Sequence, residues 1–457
     1  MSVFVGTAGG VGGGRRLVQA DAGAASEAGD QWGASLATGD FDRDGFDDLA
    51  IGAPGEMVGT AKSGGISVFL GSASGLTTGR GFTQETGGGG NEAGDLFGRA
   101  LASADFNADG FADLAIGAPG EAPGGETIKG GTVYVFKGSA SSLGAGWPVN
   151  QEDADGATEA DDEFGASLAA GNVTGSANAD LVVGAPGEAP GTSPADSGAL
   201  YVVPGAAAGK SVGFARWQTH AGGASEAGDR FAEALAVGNF DKDAYADIAV
   251  GVPGEAPGTA PAAGSLMVLP GSTSATDSPE GFSVQESGGG EAITAGDRFG
   301  ASLAARDANA DGFADLLVGA PRKSYGSVTA AGVGFLFNGG PRAAGSTVSM
   351  RLGRRIAQSD LVMDNETNDA FGSAVTFGDI TGDGKPEAMI GGSGEAESGP
   401  AAGVTTVLTN LAPGAAPSVP LESFTPTAAM QATPLTTGGT GSLEYAYANN
   451  VGQLLHG

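Results

Sequence analysis

Six short acidic segments recur along the chain and hold the side chains best placed to do chemistry. The first reads Asp40-Phe41-Asp42-Arg43-Asp44-Gly45-Phe46-Asp47-Asp48. Carboxylates stand at its positions 1, 3, 5 and 9 (Asp40, Asp42, Asp44 and Asp48), with glycine at 6. Alternate side chains of a tight loop converge on one point. Glycine at 6 permits the positive φ that reverses the backbone, and the carbonyl at 7 can add an oxygen. Hard oxygen donors without nitrogen or sulfur select Ca²⁺, ahead of Mg²⁺ or Mn²⁺. An EF-hand would carry a bidentate Glu at position 12, where this chain has Ile51, Ile116 or Val318 between strand-like flanks.

The copies are unequal. The second offers Asp105, Asn107, Asp109 and Asp113, and the fifth Asp307, Asn309, Asp311 and Asp315. The fourth, Asn239, Asp241, Asp243 and Asp247, has Ala244 where glycine stands elsewhere. The sixth uses Asp379, Thr381, Asp383 and Glu387, with Pro386 before the last ligand. The third, Asn172, Thr174, Ser176 and Asp180, keeps one carboxylate and is expected to be empty. That leaves about five expected Ca²⁺ sites. A single loop of this kind reads equally well as a polar turn. Five copies at a constant offset from one aromatic position do not, because bare carboxylate clusters repel and a divalent ion offsets that repulsion.

The elements that must carry these loops follow from composition and period. The 457 residues include 53 acidic and 21 basic, a formal charge of −32, with 86 Gly, 22 Pro, 2 His and no Cys. Cysteine chemistry, disulfides and Cys-type zinc sites are excluded. The charge repels nucleic acid and anionic membrane surfaces. Gly and Pro oppose long helices, while 40% hydrophobic residues suffice for a core. No run is long enough for a membrane-spanning helix.

A repeat dominates the sequence. Its aromatic positions are Trp32, Phe97, Phe164, Phe231, Phe299 and Phe371, each 8 residues ahead of an acidic loop. Successive loops start 65, 67, 67, 68 and 72 residues apart. Each period reads as four strands: the aromatic stretch such as Trp32–Thr38, a short apolar strand, a β-rich strand and a weaker fourth. The expected fold is therefore all-β, a β-propeller of four-stranded antiparallel blades over residues 1–457. Seven blades are expected, with six the weaker alternative. Residues 1–20 match the outer strands of a split closing blade, 21–429 hold six repeats, and 430–457 would supply its inner strands or form a tail.

At these residues the chain resembles the FG-GAP repeats of the integrin α-subunit β-propeller. Phe97-Gly98, Phe164-Gly165, Phe299-Gly300 and Phe371-Gly372 carry the first half of the motif. Gly52-Ala53-Pro54, Gly117-Ala118-Pro119, Gly184-Ala185-Pro186 and Gly319-Ala320-Pro321 carry the second. Trp32, Ala232, Val252 and Gly391-Gly392-Ser393 depart from it. The resemblance implies seven blades and Ca²⁺ in the loops joining each blade's first two strands.

Glu56, Glu121, Glu188, Glu255 and Glu395 follow the second strand in five repeats and are expected as a solvated acidic rim at the opposite end. The fifth repeat has Arg322, Lys323 and Tyr325 there, expected as the partner contact. The expected function is non-enzymatic Ca²⁺-dependent recognition or adhesion outside the cell, toward a protein or glycan that is basic at the contact. The alternative is an accessory or glycan-binding propeller of a secreted hydrolase. The N-terminus does not read as a secretory signal. The extracellular expectation rests on calcium, because extracellular modules bind it at about 10⁻⁴–10⁻³ M.

Overall fold

Short apolar runs separated by Gly-rich turns cannot bury themselves alone, so each sheet here depends on its neighbours. A computed structural model describes residues 2–7, 10–123, 128–191, 193–272, 281–285, 292–341, 350–361, 364–394, 404–409, 411, 423–424 and 446–447. Among them there is no α-helix. Six four-stranded antiparallel sheets follow one another along the chain, each with its strands in sequence order. Blade I comprises Leu36–Gly39, Asp48–Ala53, Gly65–Phe69 and Arg80–Phe82. Blades II to VI begin with inner strands Leu101–Ala104, Ser167–Gly171, Ala234–Gly238, Ser302–Arg306 and Phe371–Gly378. Every second strand, such as Asp113–Ala118 in blade II, is buried along its whole length. It lies mid-sheet with packed layers on both faces, which is why it reads as a continuous apolar run.

Six four-stranded blades is the smaller of the two expected counts. The seven expected from the resemblance are corrected to these six plus a three-stranded sheet. In that sheet Ser2–Thr7 pairs with Gly10–Arg16 on one side and Ala446–Tyr447 on the other. Val3 packs with Leu36, Leu49 and Ile51 of blade I, and a Cβ on Gly6 would overlap the Ile380 carbonyl of blade VI. The small sheet thus stands between the last blade and the first. Apart from Ala446–Tyr447, the segment 430–457 lies outside the described residues.

The seams between blades explain the repeat's sequence. Phe97, Phe164, Phe231 and Phe299 are fully buried and precede their inner strands, which the aromatics had been expected to begin; Phe371 alone lies within its strand. The Phe97 N–H donates to Ser63 O of the preceding blade at 2.8 Å. Its ring packs among Ile66 and Val68 of blade I and Tyr134 and Phe136 of blade II. Burying such a ring is worth about 1.5–3 kcal/mol. Next to it, a Cβ on Gly52 would overlap the carbonyl oxygen of Gly98. The same encounter recurs for Gly117 with Gly165, Gly184 with Ala232, Gly251 with Gly300 and Gly319 with Gly372. The glycine of each G-A-P or G-V-P therefore lets the next blade's aromatic turn close onto it.

Candidate metal centres

Each acidic loop joins a blade's inner strand to its second strand, and its last carboxylate opens the second strand. Asp48, Asp113, Asp180, Asp247, Asp315 and Glu387 are the first residues of those strands and all are buried. Asp48 shows what holds them. Its Oδ2 accepts from Phe41 N at 2.8 Å and its Oδ1 from Gly71 N at 2.7 Å. The loop is thereby tied to the end of the third strand.

The other candidate ligands are pre-arranged by main-chain N–H groups. Asp40 accepts from Asp44 N at 3.0 Å and Gly45 N at 2.9 Å, and Asp44 accepts from Phe46 N at 2.9 Å. Asp105, Asp307 and Asp379 repeat the first pattern with Asp109 and Gly110, Asp311 and Gly312, and Asp383 and Gly384. The position-6 glycines Gly45, Gly110, Gly312 and Gly384 have φ between 84° and 91°. Asp40, Asp42 and Asp48 each bring one oxygen within 4.8 Å of the others. Three carboxylates converging with no nitrogen or sulfur fit a hard divalent cation.

Loop IV is built differently. Ala244 does not take the left-handed conformation of its glycine counterparts. The Asn239 amide instead donates to Asp243 O at 2.9 Å, and its Oδ1 is buried without a partner. Asp241 and Asp243 keep the usual bonds, with Asp243 N on Asp241 at 3.0 Å and Tyr245 N on Asp243 at 2.7 Å. In loop III Asp180 accepts from Val173 N and Thr174 N at 2.9 and 2.8 Å, and the Ser176 hydroxyl lies 2.8 Å from Asn178 O and 3.2 Å from Asp180. In loops II and V, Asn107 and Asn309 also turn their amides to Asp113 and Asp315, at 3.1 and 3.4 Å. In loop VI the Thr381 hydroxyl donates to Glu387 at 3.3 Å.

Burial raises the pKa of the buried carboxyls Asp48, Asp113, Asp247 and Asp315. Asp48, Asp247 and Asp315 are pushed up to about 7 and Asp113 to about 6, with further upward pressure from loop carboxylates and relief from main-chain N–H bonds. Like charges gathered without a counter-ion favour bound protons, so protons compete with a cation for the loop.

The opposite end corrects two expectations. Glu121 and Glu188 are only 5% and 4% exposed, and Glu56 and Glu255 are half-buried, so they do not form a solvated rim. Glu395 lies outside the described residues. Each of the four meets an earlier Glu and Asp, as in Glu159, Asp162 and Glu188. Lys323 is 4% exposed and its ammonium sits on Asp297 at 3.0 Å, so it is not presented to a partner. Arg322 is exposed, and half-buried Tyr325 lies under the Arg355 guanidinium at 4.9 Å. Sequence reasoning missed the Glu-x-x-Asp partners Glu27/Asp30, Glu92/Asp95, Glu159/Asp162 and Glu226/Asp229. Their signal was a second acidic pair at the repeat period, just ahead of the aromatic.

Comparison with known proteins agrees with this architecture. The FG-GAP repeat family matches residues 32–69, 97–136, 231–269 and 299–337. A phosphatidylinositol-glycan-specific phospholipase D of Dictyostelium discoideum is 32% identical over 175 residues, 35% of this chain and 18% of its own. Integrin alpha-PS2 of Drosophila melanogaster is 39% identical over 117 residues, 24% of this chain and 8% of its own. Integrin alpha-PS5 of the same organism is 40% identical over 98 residues, 20% and 9%. This chain is an integrin-like β-propeller of FG-GAP repeats. It spans less than a fifth of the length of each of these relatives. No helix among the described residues is long and apolar enough to cross a membrane.

Proposed function

We propose that the chain is a non-enzymatic, Ca²⁺-binding propeller that serves extracellular recognition or adhesion. The observation that carries this reading is the convergence of Asp40, Asp42 and Asp48 to within 4.8 Å on a loop whose pattern recurs around the propeller. Loops I, II, V and VI, with the position-1 carboxylate held by two N–H groups, are the strongest sites, and loop IV the fifth. Loop III is empty, because Asp180 is the single carboxylate among its four ligand positions Asn172, Thr174, Ser176 and Asp180. Bound ions would lock inner and second strands of successive blades, stiffening a scaffold that presents its loops to a partner. A scaffold needs no positioned nucleophile, and a net charge of −32 favours a partner that is basic at the contact. Capture from culture supernatant and cell surface, with Ca²⁺ and with chelator, tests this. Ca²⁺-dependent retention of one protein or glycan supports it, and equal retention under both conditions contradicts it.

The phospholipase D relatives favour a second reading, an accessory or glycan-binding propeller of a secreted hydrolase. Its distinguishing outcome is Ca²⁺-dependent retention of a hydrolase, or of a glycan alone, in the same capture. Arg322 and Tyr325 remain the proposed contact, and Arg322→Ala with Tyr325→Ala should then abolish retention while leaving Ca²⁺ binding intact.

A further inference from the structure

The end of the propeller away from the acidic loops holds a second ring of carboxylate clusters. After the second strand of blades I to IV, about 20 Å from the loop it begins in, a Glu meets an Asp and Glu that precede the same blade. Glu159, Asp162 and Glu188 serve blade III, and Glu226, Asp229 and Glu255 serve blade IV; in each trio one oxygen apiece lies within 4.8 Å of the others. The Asp is fixed by the Glu three residues before it: Glu159 N donates to Asp162 and Glu226 N to Asp229, both at 2.6 Å.

Two independent features point to a ligand. The first is a buried glutamine from the preceding blade. Gln151 and Gln218 are 0% exposed. Gln151 Nε2 donates to Glu188 at 2.6 Å, and Gln218 Nε2 to Glu255. Both amides also act on the Asp of their trio. Each is thereby aimed into its cluster, yet its Oε1 is buried without a hydrogen-bond partner. An amide oxygen left unpaired beside three carboxylates is an unfilled donor set.

The second feature is what the chain does where the trio is missing. In blade V the two glutamates are replaced by Thr294 and Lys323, and only Asp297 remains. There the Lys323 ammonium is buried, bonds Asp297 at 3.0 Å and also reaches Ala292 O. The one repeat without the carboxylates supplies its own cation. In blade II, which keeps the trio, Lys129 lies 3.4 Å from Asp95. At the blade III and IV clusters the charges acting on the Asp and on the later Glu are other carboxylates.

We propose that Glu159, Asp162, Glu188 and Gln151 Oε1, and likewise Glu226, Asp229, Glu255 and Gln218 Oε1, hold a hard divalent cation between consecutive blades, in the place that the Lys323 ammonium fills in blade V. These sites are separate from the acidic loops and do not depend on the loops binding metal. The ion would bridge the turn after one blade to the second strand of the next.

The direct test is an anomalous-difference map from crystals of the whole chain equilibrated with Tb³⁺ as a Ca²⁺ surrogate. Peaks within each of the two trios are expected, and none at Asp297. Peaks at the acidic loops alone would overturn this proposal and leave the loop reading intact. Peaks at the trios alone would do the reverse. In solution, equilibrium dialysis should count one Ca²⁺ fewer on Glu159→Thr with Glu188→Lys, which copies blade V. Thr294→Glu with Lys323→Glu should gain one. Unchanged counts in folded variants would also overturn the proposal, and the map decides should a variant fail to fold.

Discussion

Gly71 N donates to Asp48 Oδ1 at 2.7 Å, joining the last residue of an acidic loop to the turn after the third strand of its blade. Asp113 and Gly138, Asp180 and Gly205, Asp247 and Gly271, and Asp315 and Gly339 repeat the link at 3.0 to 3.3 Å. The ninth loop position is thus a structural clasp as well as a candidate ligand. It persists in blade III, where the remaining loop carboxylates are gone.

The two roles separate by mutation. Asp180→Ala strands the Thr174 and Gly205 N–H groups and should cost about 2–6 kcal/mol, at roughly 1–3 per orphaned group. The loss should be equal with Ca²⁺ and with chelator. Asp48→Ala should cost a similar amount in chelator and more in Ca²⁺. Urea unfolding under both conditions checks this; a Ca²⁺-dependent loss at Asp180 would contradict the assignment of loop III as empty.

Turn chemistry gives a second expectation. Gly45 has φ 91°, a conformation that costs an L-residue about 1–2 kcal/mol. Gly45→Ala should therefore weaken Ca²⁺ binding at loop I roughly tenfold. Ala244→Gly should strengthen binding at loop IV by freeing its turn to adopt the geometry of the other loops. Site-resolved titration by NMR reads both changes, and an unaltered loop IV would show that Asn239, not the turn, limits it.

Acid–base linkage gives a third. Without metal, Asp48, Asp247 and Asp315 titrate at about 7 in the folded chain, against 3.8 for the ordinary carboxyl. Between those values the folded state holds more protons than the unfolded one, so stability is greatest at the acid side and falls as pH rises. The Tm of chelated protein should drop between about pH 5 and pH 8. Saturating Ca²⁺ should flatten or reverse the slope, because the ion replaces the protons. A chelated Tm that climbs over this range would contradict the burial of these carboxylates.

Lys323 offers a fourth. Removing one partner of a buried pair leaves the other charge uncompensated, at a cost of about 3–5 kcal/mol. Lys323→Met should destabilise by that order, and Arg322→Ala by less than about 0.5 kcal/mol. Thermal unfolding of both variants decides between a structural ammonium and a surface contact.

Much of this was legible in the sequence. The constant offset from Phe97 to Asp105 and its five repetitions required one rigid unit, and the alternating Asp and Asn residues marked the loops. The unread parts lay where residue type is silent. Position 4 of the loops is left-handed at Arg43, Ala108, Lys242 and Ala310, residues that give no hint of it. The burial of Glu121 and Glu188 depends on Gln84 and Gln151, each 37 residues earlier on the preceding blade, and shows only once the blades are packed. Lys323 read as an exposed break in an acidic ring because its partner Asp297 arrives from before the blade. For the seventh sheet the sequence set residues 1–20 beside 430–457, but Ala446–Tyr447 has neither aromatic motif nor acidic loop to mark it as the partner strand.

Calorimetric titration of the chelated whole chain with Ca²⁺, followed by its melting temperature, tests the central claim most directly. The acidic loops predict saturable binding and a rise in Tm, with about 2.7 kcal/mol of stabilisation at a hundredfold excess over Kd. Asp40→Ala with Asp105→Ala should remove two of the bound ions. No heat of binding and an unmoved Tm would mean that the loops are polar turns held by their own N–H bonds, and the calcium-binding account would fall.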